Sequence, residues 1–127
     1  MINSILIVDD SSLTRSLIRR TMEIAGVTAK EMHEAADGDQ ALNVLHEHPV
    51  NLVLADLHMP VVSGTELVRR MRADPSLNAI PVLIVSADPN TEHLEDLHAH
   101  SVNGYLRKPF TPEELLKALQ PIFGEAA

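Results

Sequence analysis

The sequence predicts an α/β domain built on a doubly wound, five-stranded parallel sheet, with five helices covering its two faces. Three observations carry this. Strand-like and helix-like segments alternate five times, at roughly 20–25 residues per unit, and such alternation implies right-handed crossovers between parallel strands. The two most apolar segments, residues 50–55 (VNLVLA) and 81–86 (PVLIVS), are continuous rather than alternating, as strands buried on both faces are. Prolines fall almost wholly at segment boundaries, where they interrupt no ladder or helix.

The first strand, residues 3–8, starts almost at the first residue, so no domain is expected ahead of it. It runs into Asp9-Asp10-Ser11-Ser12, an acidic corner rich in helix-capping side chains. Leu13, Leu17, Thr21 and Ile24 recur at helical spacing, and Gly26 stops the first helix. Residues 31–35 (EMHEA) alternate more weakly and give the second strand; Ala36-Asp37-Gly38 turns the chain. Ala41, Leu42 and Leu45 mark a short second helix before Pro49. The third strand, 50–55, ends at Asp56, and residues 61–64 form a loop. Leu67, Val68 and Met71 mark the third helix, with Arg69, Arg70 and Arg72 on a wet outer face, and Asp74-Pro75 ends it. After the fourth strand, 81–86, Leu94, Leu97 and Val102 give the sparse apolar stripe of a fourth helix. Residues 104–107 form a short fifth strand. Thr111-Pro112-Glu113-Glu114 opens the fifth helix with a cap, a proline at its first position and acids in its first turn. Leu115, Leu116, Leu119, Ile122 and Phe123 are expected to bury that helix, and Pro121 to kink it or end it early.

At 127 residues the chain reads as one domain, 1–127, able to bury about two thirds of its unfolded surface without staples. Cysteine is absent, which removes disulfides and thiolate metal sites and fits a reducing, cytoplasmic compartment. No basic start with an apolar core follows the signal-peptide pattern, and no run is long enough to insert in a membrane. Eighteen acids against ten bases give a net charge of −8 with no basic cluster, which argues against nucleic-acid binding. Seven histidines invite a metal site, but His46/His48 and His93/His98/His100 do not share one helical face, so solvated imidazoles are expected.

The chemistry collects at the strand ends. Asp9 and Asp10 follow the first strand, Asp56 the third, Ser86 the fourth and Lys108 the fifth. In a doubly wound sheet these ends share one edge, where ligands bind. Crowded carboxylates repel unless a cation intervenes, and Mg2+ suits a few carboxylates while leaving positions for phosphate oxygens. A phosphoryl group in transfer spreads charge over three oxygens, so catalysis is mostly placement and charge stabilisation. The metal, the Lys108 ammonium and the Ser86 hydroxyl would each meet one oxygen, with Asp56 as the nucleophile that forms a temporary acyl phosphate. Taken singly each residue has a plainer reading: a cap for Asp9-Asp10, a loop hydroxyl for Ser86, a surface lysine for Lys108.

Together Ile7-Val8-Asp9-Asp10-Ser11, Ala55-Asp56-Leu57-His58-Met59-Pro60 with Gly64, Val85-Ser86-Ala87, and residues Gly104 to Phe110 (GYLRKPF) have a further meaning. In this order and spacing the chain resembles the receiver domains of two-component response regulators, of the stand-alone chemotaxis type, over essentially its whole length. The resemblance implies a flavodoxin-like sheet in the order 2-1-3-4-5 and a receiver domain with no effector domain attached. It implies Asp56 as phosphoacceptor, Mg2+ held by Asp10, Asp56 and the main-chain carbonyl of His58, and Asp9 acting through a water. It further implies Lys108 on the phosphoryl group with a cis bond to Pro109, Ser86 moving toward the phosphate, and Tyr105 changing rotamer with it. The donor would be a histidine kinase or histidine phosphotransfer protein. The face made by the fourth helix, fifth strand and fifth helix would read the switch for a downstream protein. Two positions depart from the usual pattern: His58 replaces a frequent Asn, and Asp88 lies two residues after Ser86; both are expected to alter how long the phosphoryl group survives.

Three other functions fit less well. A flavodoxin-like cofactor binder needs a hydroxyl- and glycine-rich phosphate loop after the first strand, where Asp9-Asp10 would repel it. A haloacid-dehalogenase-like phosphatase needs an acid two residues after its nucleophile, where His58 stands. A phosphorylation-independent binding module on the same fold would have no use for Asp10, Asp56 and Lys108.

Overall fold

The computed structural model describes residues 2–87 and 102–123. Within them the chain runs β1 (Ile2–Val8), α1 (Ser12–Ala25), β2 (Ala29–Ala35), α2 (Gly38–Glu47), β3 (Leu52–Ala55), α3 (Gly64–Ala73), β4 (Val82–Ser86), β5 (Gly104–Arg107) and α4 (Pro112–Phe123). The strands form one all-parallel sheet in the expected order, β2-β1-β3-β4-β5. α4 is the helix that the sequence places fifth; the one read over Leu94 and Leu97 lies outside the described residues. The chain leaves β1 outward to β2 and returns to β3 on the other side, so the winding reverses between β1 and β3, where such sheets open a crevice.

Two cores explain why the central strands are apolar without alternation. Leu6, Val8, Val53, Ala55, Val82 and Ile84 face Ala41 and Leu45 of α2 and Leu67, Val68 and Met71 of α3. Ile5, Ile7, Leu52, Leu54, Leu83 and Val85 face Ile18 and Met22 of α1 and Leu115 and Leu119 of α4. Successive residues of one strand thus enter opposite layers. β2, on the edge, is only half covered, which accounts for its weak pattern.

The helix ends are held by local bonds that the sequence announces. Ser11, Asp37 and Ser63 accept from the N–H groups of Thr14, Gln40 and Glu66. Thr111 and Glu114 cap each other's backbone at 3.1 Å, opening α4 as expected. Gly26 takes φ +79°, a left-handed stop to α1 that a side chain would strain.

Four expectations need correction. Leu13, Leu17 and Ile24 mark α1 but do not anchor it; they are 68, 57 and 66 % exposed, and Ile18 and Met22 form the buried face. Leu17 instead lines an open cleft with Thr14, Thr21, Ala87 and Lys108. Leu116 is likewise exposed on α4, and Pro121 does not end that helix, which continues to Phe123. Arg72 is not on a wet face: it is half-buried and donates to the carbonyls of Asn78 (3.1 Å) and Ile80 (2.8 Å), pinning the α3–β4 connection. Arg69 and Arg70 are exposed as expected.

The imidazoles are also less idle than expected. His33 and His48 stack with centroids 4.6 Å apart, and His46 Nε2 lies 3.0 Å from Asp74 Oδ2, joining the end of α2 to the end of α3. Hydrogen bonds from His46 and then Ser76 hold the Asp74 carboxyl at about 2 rather than its ordinary 3.8. A carboxyl lowered on folding favours the native state above its ordinary value and loses that contribution as pH falls through the lowered one. Carboxyl NMR titration should therefore place Asp74 near 2, and His46→Ala should raise the midpoint toward 3.8. An unmoved midpoint would assign the shift to Ser76 alone.

Candidate functional site

The register of the sheet builds the site. Val8 pairs with Ala55, so the chain leaves β1 and β3 side by side, and the Asp56 N–H donates to the Val8 carbonyl at 3.0 Å. One carboxylate oxygen from each of Asp9, Asp10 and Asp56 lies within 4.8 Å of the others. Asp9 is buried, Asp56 partly so and Asp10 exposed, giving the cluster a wet mouth and a dry floor.

Lys108, the residue after β5, closes the cluster. Its Nζ donates to Asp9 Oδ2 at 2.5 Å and to Asp56 Oδ2 at 3.1 Å. Burial acts to lower the pKa of this ammonium, but the Asp9 hydrogen bond and the Asp56 charge outweigh it, leaving it above its ordinary 10.5. The lysine therefore stays charged at any physiological pH. Its peptide bond to Pro109 is cis, as the resemblance implies. Three formal negative charges against one positive leave an all-oxygen donor set with net charge −2. That composition fits a hard dication such as Mg2+, which needs few protein ligands.

Asp9 is fixed at every polar atom. Its N–H donates to the Ala35 carbonyl, its Oδ1 accepts from the Ser11 N–H, its Oδ2 accepts from Lys108, and its main-chain carbonyl accepts from Arg15. Ser86 is buried at the end of β4, and its carbonyl accepts the Lys108 N–H at 3.0 Å. Tyr105 pairs with Ile84 in β5, packs against the α2–α3 core, and has its phenol pKa raised by burial. His58 is exposed on the loop after Asp56, and Asp88 lies outside the described residues. The structure thus brings Asp9, Asp10, Asp56 and Lys108 into one cluster, puts Ser86 at the same sheet edge, and sets Tyr105 farther back along β5.

The loop after Asp56 contains features that sequence reasoning missed. Gly64 has no room for a side chain: a Cβ there would lie 2.0 Å from the Asp56 carbonyl oxygen. Its N–H donates to the Leu57 carbonyl at 2.9 Å, so the first turn of α3 presses directly on the Asp56 backbone. Gly38, at the start of α2, makes a similar approach to Val62, donating to its carbonyl at 3.0 Å. Between these contacts Val62 N–H closes a tight turn onto the Pro60 carbonyl, with Val61 at φ +66° and 82 % exposed. A β-branched residue in that region is strained, and the sequence carries no sign of it.

Comparison with known proteins agrees with this geometry. The sequence model of one family, described as "Response regulator receiver domain", matches residues 5–120. The chemotaxis protein CheY of Pseudomonas aeruginosa is 38 % identical over 119 residues, covering 94 % of each chain. Among solved structures, the chemotaxis protein CheY4 of Vibrio cholerae superposes with a TM-score of 0.84 at 32 % identity, over 97 % of this chain and 100 % of that one. The receiver domain of the sensor histidine kinase PA1611 of P. aeruginosa superposes with a TM-score of 0.80 at 27 % identity, over 94 % and 96 % of the two chains; that structure has a magnesium ion coordinated in its active site cleft.

Proposed function

Because the chain belongs to the response regulator receiver domain family, we propose that Asp56 is its phosphoacceptor and that the acid cluster around it is the catalytic centre. The observation that carries this reading is Lys108, one ammonium bonded to both Asp9 and Asp56. Receiver domains bind Mg2+ in an acidic pocket of this kind and interact with histidine kinases and downstream targets. Here Asp10, Asp56 and the main-chain carbonyl of His58 would hold the metal, with Asp9 acting through a water. When bound, the metal supplies positive charge against the phosphoryl oxygens.

The chain's own residues account for the rest. A carboxylate oxygen of Asp56 attacks the phosphorus of a phosphohistidine, a P–O bond forms, and the P–N bond breaks with its electron pair leaving on the imidazole. Lys108 neutralises charge on one phosphoryl oxygen at the position where it now bonds Asp56. Ser86 moves to meet another, and Tyr105 follows that movement. The product adds roughly −1.5 to −2 units of charge beside Lys108, enough to bias a two-state rearrangement. The donor is a histidine kinase or histidine phosphotransfer protein. The face of β5 and α4 presents the result to a downstream protein in the cytoplasm; the fourth helix read from the sequence lies outside the described residues.

The test is labelling by acetyl phosphate with Mg2+, trapping of the acyl phosphate by borohydride, and peptide mapping. Label should map to Asp56 and vanish with a chelator. Label on another residue, or label indifferent to the chelator, would overturn the assignment.

A further inference from the structure

The acid cluster has a neighbour of opposite charge that the reaction does not use. Arg15 and Arg19, four residues apart on α1, both reach Glu34 on β2: Arg15 Nε lies 2.8 Å from Oε1 and Arg19 NH1 2.6 Å from Oε2. Arg15 is the more enclosed of the two, with 16 % of its side chain exposed against 42 %. Its NH1 donates to the main-chain carbonyl of Asp9. One guanidinium thus joins the edge strand to the backbone of a residue in the acid cluster.

The carbonyl that Arg15 contacts belongs to the same residue as one of the three clustered carboxylates. A guanidinium is permanently charged, presents five donors and pairs readily with carboxylates. Released from Glu34, Arg15 would be free to turn to the carboxylates of Asp9 and Asp10, where it would compete with a dication. Glu34 itself reflects the strength of the hold. Burial acts to raise its pKa, yet the bonds from Arg15 and Arg19 outweigh this and leave it below its ordinary 4.5.

We propose that Glu34 is a positioning residue for the metal site: it holds the Arg15 guanidinium on the Asp9 main-chain carbonyl and so keeps that cation off the three carboxylates. This rests on the reading of the cluster as a Mg2+ site. Residues that orient a metal site from outside typically change its affinity by tenfold or more.

The experiment is calorimetric titration of the whole chain with Mg2+, with no phosphodonor present, for wild type, Glu34→Gln, Arg15→Gln and the double variant. Wild type binds; Glu34→Gln binds about tenfold more weakly; the double variant returns to the affinity of Arg15→Gln and is tighter than Glu34→Gln. That recovery separates a freed cation from a merely loosened strand, because loosening would not be repaired by a second substitution. Unchanged affinity in Glu34→Gln overturns the proposal, as does a double variant no tighter than Glu34→Gln. Should Glu34→Gln fail to fold, Glu34→Asp keeps the charge on a shorter arm: a smaller loss of affinity supports the proposal, and no loss overturns it. A wild type that does not bind Mg2+ overturns the underlying metal reading first, and this inference with it.

Discussion

Asp56→Asn should abolish acid-labile labelling by acetyl phosphate and Mg2+, a loss of at least about a thousandfold, of the size seen when a nucleophile is removed. The amide keeps the shape of the carboxylate but has neither its charge nor a lone pair of comparable nucleophilicity. Its partner responds as well: Lys108 keeps Asp9 at 2.5 Å but loses the ion pair it makes at 3.1 Å. The fold should tolerate the change. One of three crowded carboxylates disappears, so relief of repulsion offsets the lost pair, and thermal stability should stay level or rise. A variant that melts like the wild type and takes no label locates the defect in chemistry. Stoichiometric labelling of Asp56→Asn would remove Asp56 from its role.

Gly64→Ala should be nearly as damaging to phosphorylation, by a different route. A methyl group there would sit 2.0 Å from the Asp56 carbonyl oxygen and 2.9 Å from the Leu57 Cα, both main-chain atoms that cannot rotate away. Either α3 lifts from β3 or the Asp56 backbone shifts. The first breaks the packing of the fully buried Leu67, Val68 and Met71; the second moves the Asp56 carboxylate relative to Lys108. Overpacking against backbone in this way costs about 3 kcal/mol or more, which lowers Tm by about 10 °C in a domain of this size. Circular dichroism melts and the labelling assay together test it. A Gly64→Ala protein with wild-type Tm and wild-type labelling would show that the loop after β3 is far more compliant than its contacts indicate.

Which parts of this molecule could be read from its sequence follows from physics that is local or repeated. The strands and the acid cluster were legible because apolar runs, caps and strand-end residues are short-range signals, and the topology of a doubly wound sheet then brings the strand ends together, whereas the strand order came only with the family resemblance. The face of α1 was not. Leu13, Leu17 and Ile24 form as regular a helical stripe as Ile18 and Met22, and periodicity cannot say which stripe meets the sheet. Arg72 was misplaced for a related reason: its charge argued for water, whereas carbonyls left by the turn after α3 argued for burial. The Arg15–Glu34 contact depends on tertiary approach and leaves no mark in one sequence, and the motif that includes Gly64 does not say that this glycine presses on the Asp56 backbone.

The bond between Lys108 and Asp9 joins residues 99 positions apart along the chain. A chain still emerging from the ribosome has the Asp56 carboxylate long before it has Lys108, which follows β5. A partly made copy would therefore hold the crowded carboxylates without the cation that bridges two of them.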